Sequence, residues 1–487
     1  MGTASNRYAD WVTAKKRRSG RGKGPRQGIS GNPQGRAEQL AQRRSAIADE
    51  PDLSSLRDLA YAMAGGSKPS PWWAESHQRI LAAARALTWP SRLVERETQT
   101  SRIVGDEFYE RLNSESSGMH SSQWLRALAE ETGAELRASV AAGTGDWPQL
   151  WALLCGLALT VPPGDPQSET AKLARETFPD IRDPYETVLA EAGQAAKLLS
   201  DHGLAVGPEL PADGARPAGD PLVACDGYGS RFLLAAPFGY DGEEADHWYA
   251  WDIDSCWLLY AVGAGVFGSA QDALAEWQQA VGPAAGTELS PCAPEMTARL
   301  LAPCLQAGPM SEMLEGSEPR ELIREHFRLR RRARALVPSA GHTAADVAAS
   351  SSDADGYDPD ATREAFLSWY EARHGDVPQD TADAVGTILY EWGPEPPLEE
   401  RSRYASSPHR IEMAARLIRD GYLPDHANEA LRLLPEWTQW CIEQSGLNSD
   451  LASRSRGAAL TEAAALVDEE TNASAAGRVE APFRRQE

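Results

Sequence analysis

From Pro51 to about Leu204, apolar residues recur at intervals of three and four, the spacing that gives an α-helix one greasy face. The segments "LSSLRDLAYAMAG", "PWWAESHQRILAAARAL", "SRIVGDEFYERLN", "SSQWLRALAEETGAELRASVAAG" and "DWPQLWALLCGLAL" carry the pattern, and "SETAKLARETF" and "DPYETVLAEAGQAAKLLSDHG" extend it. Punctuation agrees with period. Ser121 or Ser122 is placed to cap the fourth segment, Asp146 before Trp147-Pro148 opens the fifth, and Gly143 and Gly203 stop the helices ahead of them. No fixed repeat length is strong enough to indicate a solenoid.

The proline- and glycine-rich "AVGPELPADGARPAGDP" from Ala205 is a linker, and beyond it the period changes. "RFLLAAPF", "HWYAWDID" and "CWLLYAVGAGVF" are rich in aromatic and β-branched residues and predict three strands, with the turn-rich "GYDGEEAD" joining the first two as a hairpin. A helix follows over "GSAQDALAEWQQAVG". Ser269 with Asp272 three residues on forms its N-cap pattern, and Leu274, Trp277 and Val281 share one face. Helical spacing resumes in "PEMTARLLAPCLQAG" and "EPRELIREHFRLRRRARALVP". A second linker, "PSAGHTAADVAASSSDADGYDPD", precedes "TREAFLSWYEARHG", "DTADAVGTILYEWG", "SPHRIEMAARLIRDG" and "HANEALRLLPEWTQWCIEQSG".

The expected fold is therefore mainly α and multidomain, with a small α+β insert of a three-stranded sheet plus helix and a disordered basic N-terminal arm. The expected boundaries are an arm over 1–48, a helical domain over 49–204, a linker over 205–220, the α+β module with its following helices over 221–337, a linker over 338–360, a C-terminal helical domain over 361–470 and a frayed tail over 471–487. Strand, glycine-containing turn and Ala-Leu helix over 231–282 resemble the β-β-β-α module of HicB-type antitoxins. That resemblance implies a packing unit and carries no functional residue across. In composition and Trp-rich helix style the whole chain resembles uncharacterised multi-helix proteins of high-GC actinobacteria, a likeness that names no activity.

Charge changes the picture. The 487 residues sum to a formal charge of -23, yet through Ser45 eleven Arg or Lys face two acids, giving +9, and the remaining 37 cations and 69 acids give -32. The first segment, with "RRSGRGKGPRQGISGNPQGR" at its heart, holds too few large apolar side chains to offset the entropy of ordering it. Its glycines suggest a phosphate loop, but Arg17 stands where a Walker loop needs its first glycine and Gly24 where it needs a hydroxyl. The spacing of Gly20, Gly22 and Gly24 also fails a dinucleotide fingerprint. What remains is a cationic arm in which Lys15, Lys16, Arg17, Arg18, Arg21, Lys23 and Arg26 are candidate polyanion contacts, with a plain solvated tail as the alternative.

A second basic stretch, "RELIREHFRLRRRARAL", lines Leu322, His326, Leu329, Ala333 and Leu336 along one side of a helix and places seven arginines around the rest. Arg324, Arg328, Arg331 and Arg332 are candidates to lie on a phosphate backbone; the competing reading pairs them with neighbouring acids. "YGS" at 228–230 followed by "DID" at 252–254 suggests nucleotidyltransferase chemistry, in which Asp252 and Asp254 would share a magnesium ion with Asp226 or Ser230 nearby. The interval is longer than that family's, and strand alternation favours Trp251 and Ile253 facing the core with both aspartates facing water.

Cys292, Cys304 and His326 match no zinc spacing, and there is no His-Glu-x-x-His and no Gly-x-Ser-x-Gly. His374-Gly375-Asp376 reads as a helix C-terminus. Trp437 and Trp440, at helical spacing, read as core anchors. Six unpatterned cysteines point to reduced thiols, and with no signal-like apolar stretch at the N-terminus the expected location is cytoplasmic. Function is expected to be non-enzymatic: a binding or scaffold protein contacting nucleic acid or another polyanion through the arm, with no cofactor and no membrane partner. A metal-dependent enzyme centred on 225–257 and a pure protein–protein adaptor are the competing classes.

Overall fold

A computed structural model describes residues 71–112, 121–163, 183–204, 214–240, 245–256, 259–306, 319–339, 359–392 and 400–467. The basic arm, the segments expected to be helical at 53–65 and 168–178, most of both linkers and the tail beyond 467 lie outside the described residues.

Among the described residues five helices come first: α1 (Pro71–Arg85), α2 (Leu93–Leu112), α3 (Ser121–Ala142), α4 (Trp147–Thr160) and α5 (Pro184–Asp201). Gly143 and Gly203 stop α3 and α5 as expected, both at positive φ (68° and 66°), where a side chain would be strained. The helices close around Ile80, Phe108, Trp124, Leu128, Leu153 and Leu199. α4 is apolar all round because it is enclosed: every residue from Leu150 to Thr160 is buried.

The middle of the chain forms an antiparallel sheet. Its strands are β1 (Arg216–Pro217), β2 (Leu222–Cys225), β3 (Arg231–Gly239), β4 (His247–Asp254), β5 (Tyr260–Phe267) and β6 (Ser290–Pro291), in the order β5-β4-β3-β2-β6 with β1 on β3. The three expected strands are its three longest, β3, β4 and β5, with β5 at one edge. The other three are two to four residues long, too short to display alternation.

Both faces of this sheet are covered. Phe232, Leu234, Phe238, Tyr249, Trp251 and Ile253 pack against α7 (Pro294–Gln306) and α8 (Pro319–Ser339). On the opposite face Leu233, Ala235 and Ala250 meet Leu274 and Trp277 of α6 (Ala270–Val281), whose N-cap is Ser269, accepting from the Asp272 N–H at 3.1 Å. The unbroken "FLLAA" of β3 is the sequence trace of this two-sided burial.

The C-terminal unit comprises α9 (Pro359–His374), α10 (Gln379–Trp392), α11 (Pro408–Gly421), α12 (Pro424–Ser445) and α13 (Ser449–Ala464), the last not anticipated by the apolar spacing. Phe366, Trp392, Trp437 and Trp440 form an aromatic cluster in its core, with Trp437 and Trp440 ring centroids 5.0 Å apart. α9 ends in Arg373 and His374 before Gly375 at φ 86°, as the Arg-His-Gly signature indicates.

The first linker separates the helical block from the sheet along the chain but not in space. Ile323 and Phe327 of α8 belong to the helical core, while Val94 and Leu159 of the helical block belong to the sheet core. α8 is the shared wall, and it crosses α2 very closely: a Cβ on Gly105 would stand 2.4 Å from the Arg324 Cα and 3.0 Å from the Ile323 carbonyl oxygen. Because the obstacle is backbone, the helices themselves would have to part. Gly105→Ala should therefore cost about 1–3 kcal/mol in urea unfolding. Gly193→Ala on α5, where a Cβ meets open space, should be neutral or stabilising by up to ~1 kcal/mol.

Candidate functional site

The arginine-rich helix α8 turns its central arginines inward. Leu322, His326, Leu329, Ala333 and Leu336 of α8 are buried as the period requires, but so are Arg328, Arg331 and Arg332, at 1%, 3% and 0% exposure. This corrects the reading of Arg324, Arg328, Arg331 and Arg332 as phosphate contacts in favour of pairing within the fold, because each guanidinium already donates to at least one oxygen of the protein. Arg332 donates to Glu97 Oε2 of α2 at 2.6 Å, with neither side chain exposed, and its guanidinium lies 4.8 Å from the Phe238 ring centre. Arg328 donates to Glu325 (2.7 Å) and to the Thr98 hydroxyl (2.7 Å), and Tyr249 donates to the same Glu325 at 3.1 Å. Arg331 donates to the Val161 carbonyl that ends α4 and stacks over Tyr185 at 4.9 Å. Arg324, at the rim, forks onto Asp106 at 2.8 and 3.1 Å.

Around this cluster the ionisation states interlock. Tyr240 donates to Glu97, so one carboxylate oxygen serves both a phenol and a guanidinium. His247 faces Arg332 through Nε2 at 3.1 Å and Asp246 through Nδ1. A guanidinium has no acceptor, so Nε2 must be the bare nitrogen and Nδ1 the one bearing hydrogen. Burial, reinforced by the Arg332 charge, holds the His247 pKa down at about 3.

At the other end of the sheet the 225–257 segment does not hold the carboxylate pair that magnesium would need. Asp252 does not face water; both of its oxygens take Arg231, at 2.8 and 2.6 Å, and the Trp277 indole donates to it at 3.0 Å from α6. Its capacity for a metal ion is therefore already used. Asp226 is buried too, accepting from Ser230 N–H (2.7 Å), Arg231 N–H (3.2 Å) and the Ser230 hydroxyl (3.1 Å), an arrangement that ties the β2–β3 turn to itself.

Asp254 points elsewhere. It caps the turn after β4 by accepting from Cys256 N–H at 2.6 Å, and its other oxygen lies 3.9 Å from Nε2 of His409 in the first turn of α11. Cys256 Sγ sits beside the Ser407 hydroxyl at 3.4 Å. One ligand atom from each of Asp254, Cys256 and His409 falls within 4.8 Å of the others, the only such trio of metal-ligating side chains among the described residues.

Arg410 fixes this junction. Buried, it donates to the carbonyls of Ser255 (2.7 Å) and Cys256 (2.9 Å) on the sheet side and of Ser402 (2.9 Å) and Ala405 (3.1 Å) on the helical side. Tyr228 reaches across to the Leu451 carbonyl at 3.4 Å, and a Cβ on Gly227 would stand 2.5 Å from Leu451 Cδ1. Burial, with Asp254 adding to it, holds the Cys256 pKa well above the usual thiol range, so the thiol is a poor nucleophile.

Lys15, Lys16, Arg17, Arg18, Arg21, Lys23 and Arg26 lie outside the described residues. Cys292, Cys304 and His326 are buried in packing roles, the histidine stacked 5.7 Å from Phe108. Neither Cys256 nor His409 belongs to a recognisable motif in the sequence. Asp254 and Cys256 are two apart, but His409 lies beyond the second linker, so no motif spacing joins them. No helix among the described residues is long and apolar enough to cross a membrane.

Two measurements check these assignments. Arg332→Met leaves the Glu97 carboxylate buried without its counter-charge and should cost about 3–5 kcal/mol in urea unfolding, whereas adding Glu97→Leu should recover a large part of that loss. For His247, the folded pKa near 3 lies below the ordinary 6.5, so its contribution is complete above pH 6.5 and is lost as pH falls towards 3. Between pH 6.5 and 5, above the ordinary carboxylate range, stability should fall by up to ~1.4 kcal/mol per pH unit relative to His247→Gln. Parallel pH profiles for the two proteins would refute the assignment. No protein-family model, curated protein or solved structure matches this chain.

Proposed function

We propose that the protein is a non-enzymatic binding or scaffold protein that engages nucleic acid, or a polyanion of similar charge density, through the basic segment at its N-terminus. The carrying observation is the separation of charge: +9 through Ser45 against -32 in the rest. The inward turn of α8 sharpens this reading, because Arg328, Arg331 and Arg332 are occupied within the fold and add nothing to an outward footprint. Lys15, Lys16, Arg17, Arg18, Arg21, Lys23 and Arg26 then carry the contacts. The acidic body repels phosphates and limits engagement to the arm. An arm folded back onto its own acids is the internal competitor for the same cations.

Binding through seven cations to duplex DNA predicts a log–log dependence of affinity on salt with a slope of roughly -6. Fluorescence anisotropy with mixed-sequence DNA and RNA at two or more salt concentrations should show that dependence in the full chain and its loss on deletion of residues 1–45. Salt-insensitive binding, or binding that survives the deletion unchanged, would overturn the proposal. A partner protein that co-purifies through nuclease treatment, with no nucleic-acid affinity in the full chain, would establish the adaptor instead.

A further inference from the structure

We infer that Asp254, Cys256 and His409 form a mononuclear zinc(II) site at the junction of the sheet and the C-terminal helices, independent of the basic arm. The ligand types carry the choice of metal. Thiolate, imidazole and carboxylate together suit zinc and disfavour magnesium or calcium, which take oxygen ligands. Three protein ligands leave a fourth position for water or an incoming ligand atom.

Geometry supports the assignment. Tetrahedral zinc with bonds of about 2.0–2.3 Å needs ligand atoms roughly 3.3–3.6 Å apart. Asp254 Oδ2 and His409 Nε2 are already at 3.9 Å, and all three donors lie within 4.8 Å. Two of the three are fixed by the backbone: Asp254 ends β4 and accepts from Cys256 N–H, while Arg410 holds the Ser255 and Cys256 carbonyls. His409 is the adjustable one. Its side chain is 44% exposed, so a rotation of the imidazole closes the set and the same opening admits the ion. The Tyr260 hydroxyl, 3.3 Å from His409 Nε2, shares that nitrogen and gives it up when the ion binds.

Charge supports it as well. Asp226, Asp252 and Asp254 against Arg231 and Arg410 leave one net negative charge at this end of the sheet. Zn²⁺ with a Cys256 thiolate adds one positive charge, so the loaded junction is formally neutral. Coordination displaces the thiol proton, one per ion bound.

The test uses the full chain, reduced and stripped with chelator. Zinc titrated calorimetrically should bind at one equivalent per chain and raise the thermal midpoint, since the ion bridges two units. Cobalt(II) should give tetrahedral d–d absorption together with a thiolate-to-metal charge-transfer band. His409→Gln, at an exposed position that leaves the fold intact by circular dichroism, should weaken binding by about 100-fold or more. Cys256→Ser should remove the charge-transfer band, and Cys225→Ser should change nothing. The absence of one-equivalent binding, an affinity unaltered by His409→Gln, or displacement of zinc by millimolar magnesium would each overturn the site.

Discussion

A guanidinium with no exposed surface needs its counter-charge within the fold, and the Arg332–Glu97 pair sets that requirement at the centre of this protein. Glu97 lies on α2 of the helical block, Arg332 on α8, and the rings that take the guanidinium face, Phe238, Tyr240 and Tyr249, come from the sheet and its hairpin. Three parts of the chain must be in register before the charge is met. Such a pair contributes little net stability over an apolar substitute, because desolvation offsets the attraction, but any packing that separates its members leaves a buried charge unpaired. Its effect is thus on which arrangement forms. The close passage of Gly105 under Arg324 acts in the same direction, since only one depth of α2 on α8 permits it.

That role explains what could and could not be read from residues alone. Helix existence, the stops at Gly143 and Gly203, the Ser269 cap and the three long strands are local facts, written in periods of 3.6 and 2 and in capping chemistry. Whether Arg328, Arg331 and Arg332 look outward is not local. Arg328 has a local partner in Glu325, but Thr98, Val161 and Glu97, which draw Arg328, Arg331 and Arg332 inward, are far away in the chain, and an arginine-rich face with an apolar stripe has the same periodicity whether it meets phosphate or a buried carboxylate. The clues to pairing are the acidic bias of the whole chain and the acids three residues before Arg324 and Arg328.

The sheet shows the same limit from the other side. Alternation correctly placed Trp251 and Ile253 in the larger core and Asp252 on the opposite face, but it does not say what covers that face. α6 does, and its Trp277 brings both an apolar body and an indole N–H, so the carboxylate is met by a donor and by Arg231 instead of by water. The four-residue β2 and the two-residue β1 and β6 are invisible for a simpler reason: two repeats of a period of two, or one, do not stand out from chance.

The junction with the C-terminal helices combines these two lessons. Arg410 meets four backbone carbonyls and no carboxylate, so its charge is dispersed over dipoles from both sides rather than neutralised by one partner. A guanidinium used this way is a geometric clamp, because its planar fork is satisfied only when the turn after β4 and the start of α11 are correctly opposed. The clamp also presents Asp254, Cys256 and His409 to one another from elements with no sequence proximity. A chain that needed only mechanical docking could have used apolar contacts here, as Leu451 does against Gly227. Instead, the junction brings a carboxylate, a thiol and an imidazole to one edge, which is where local folding rules end and chemistry begins.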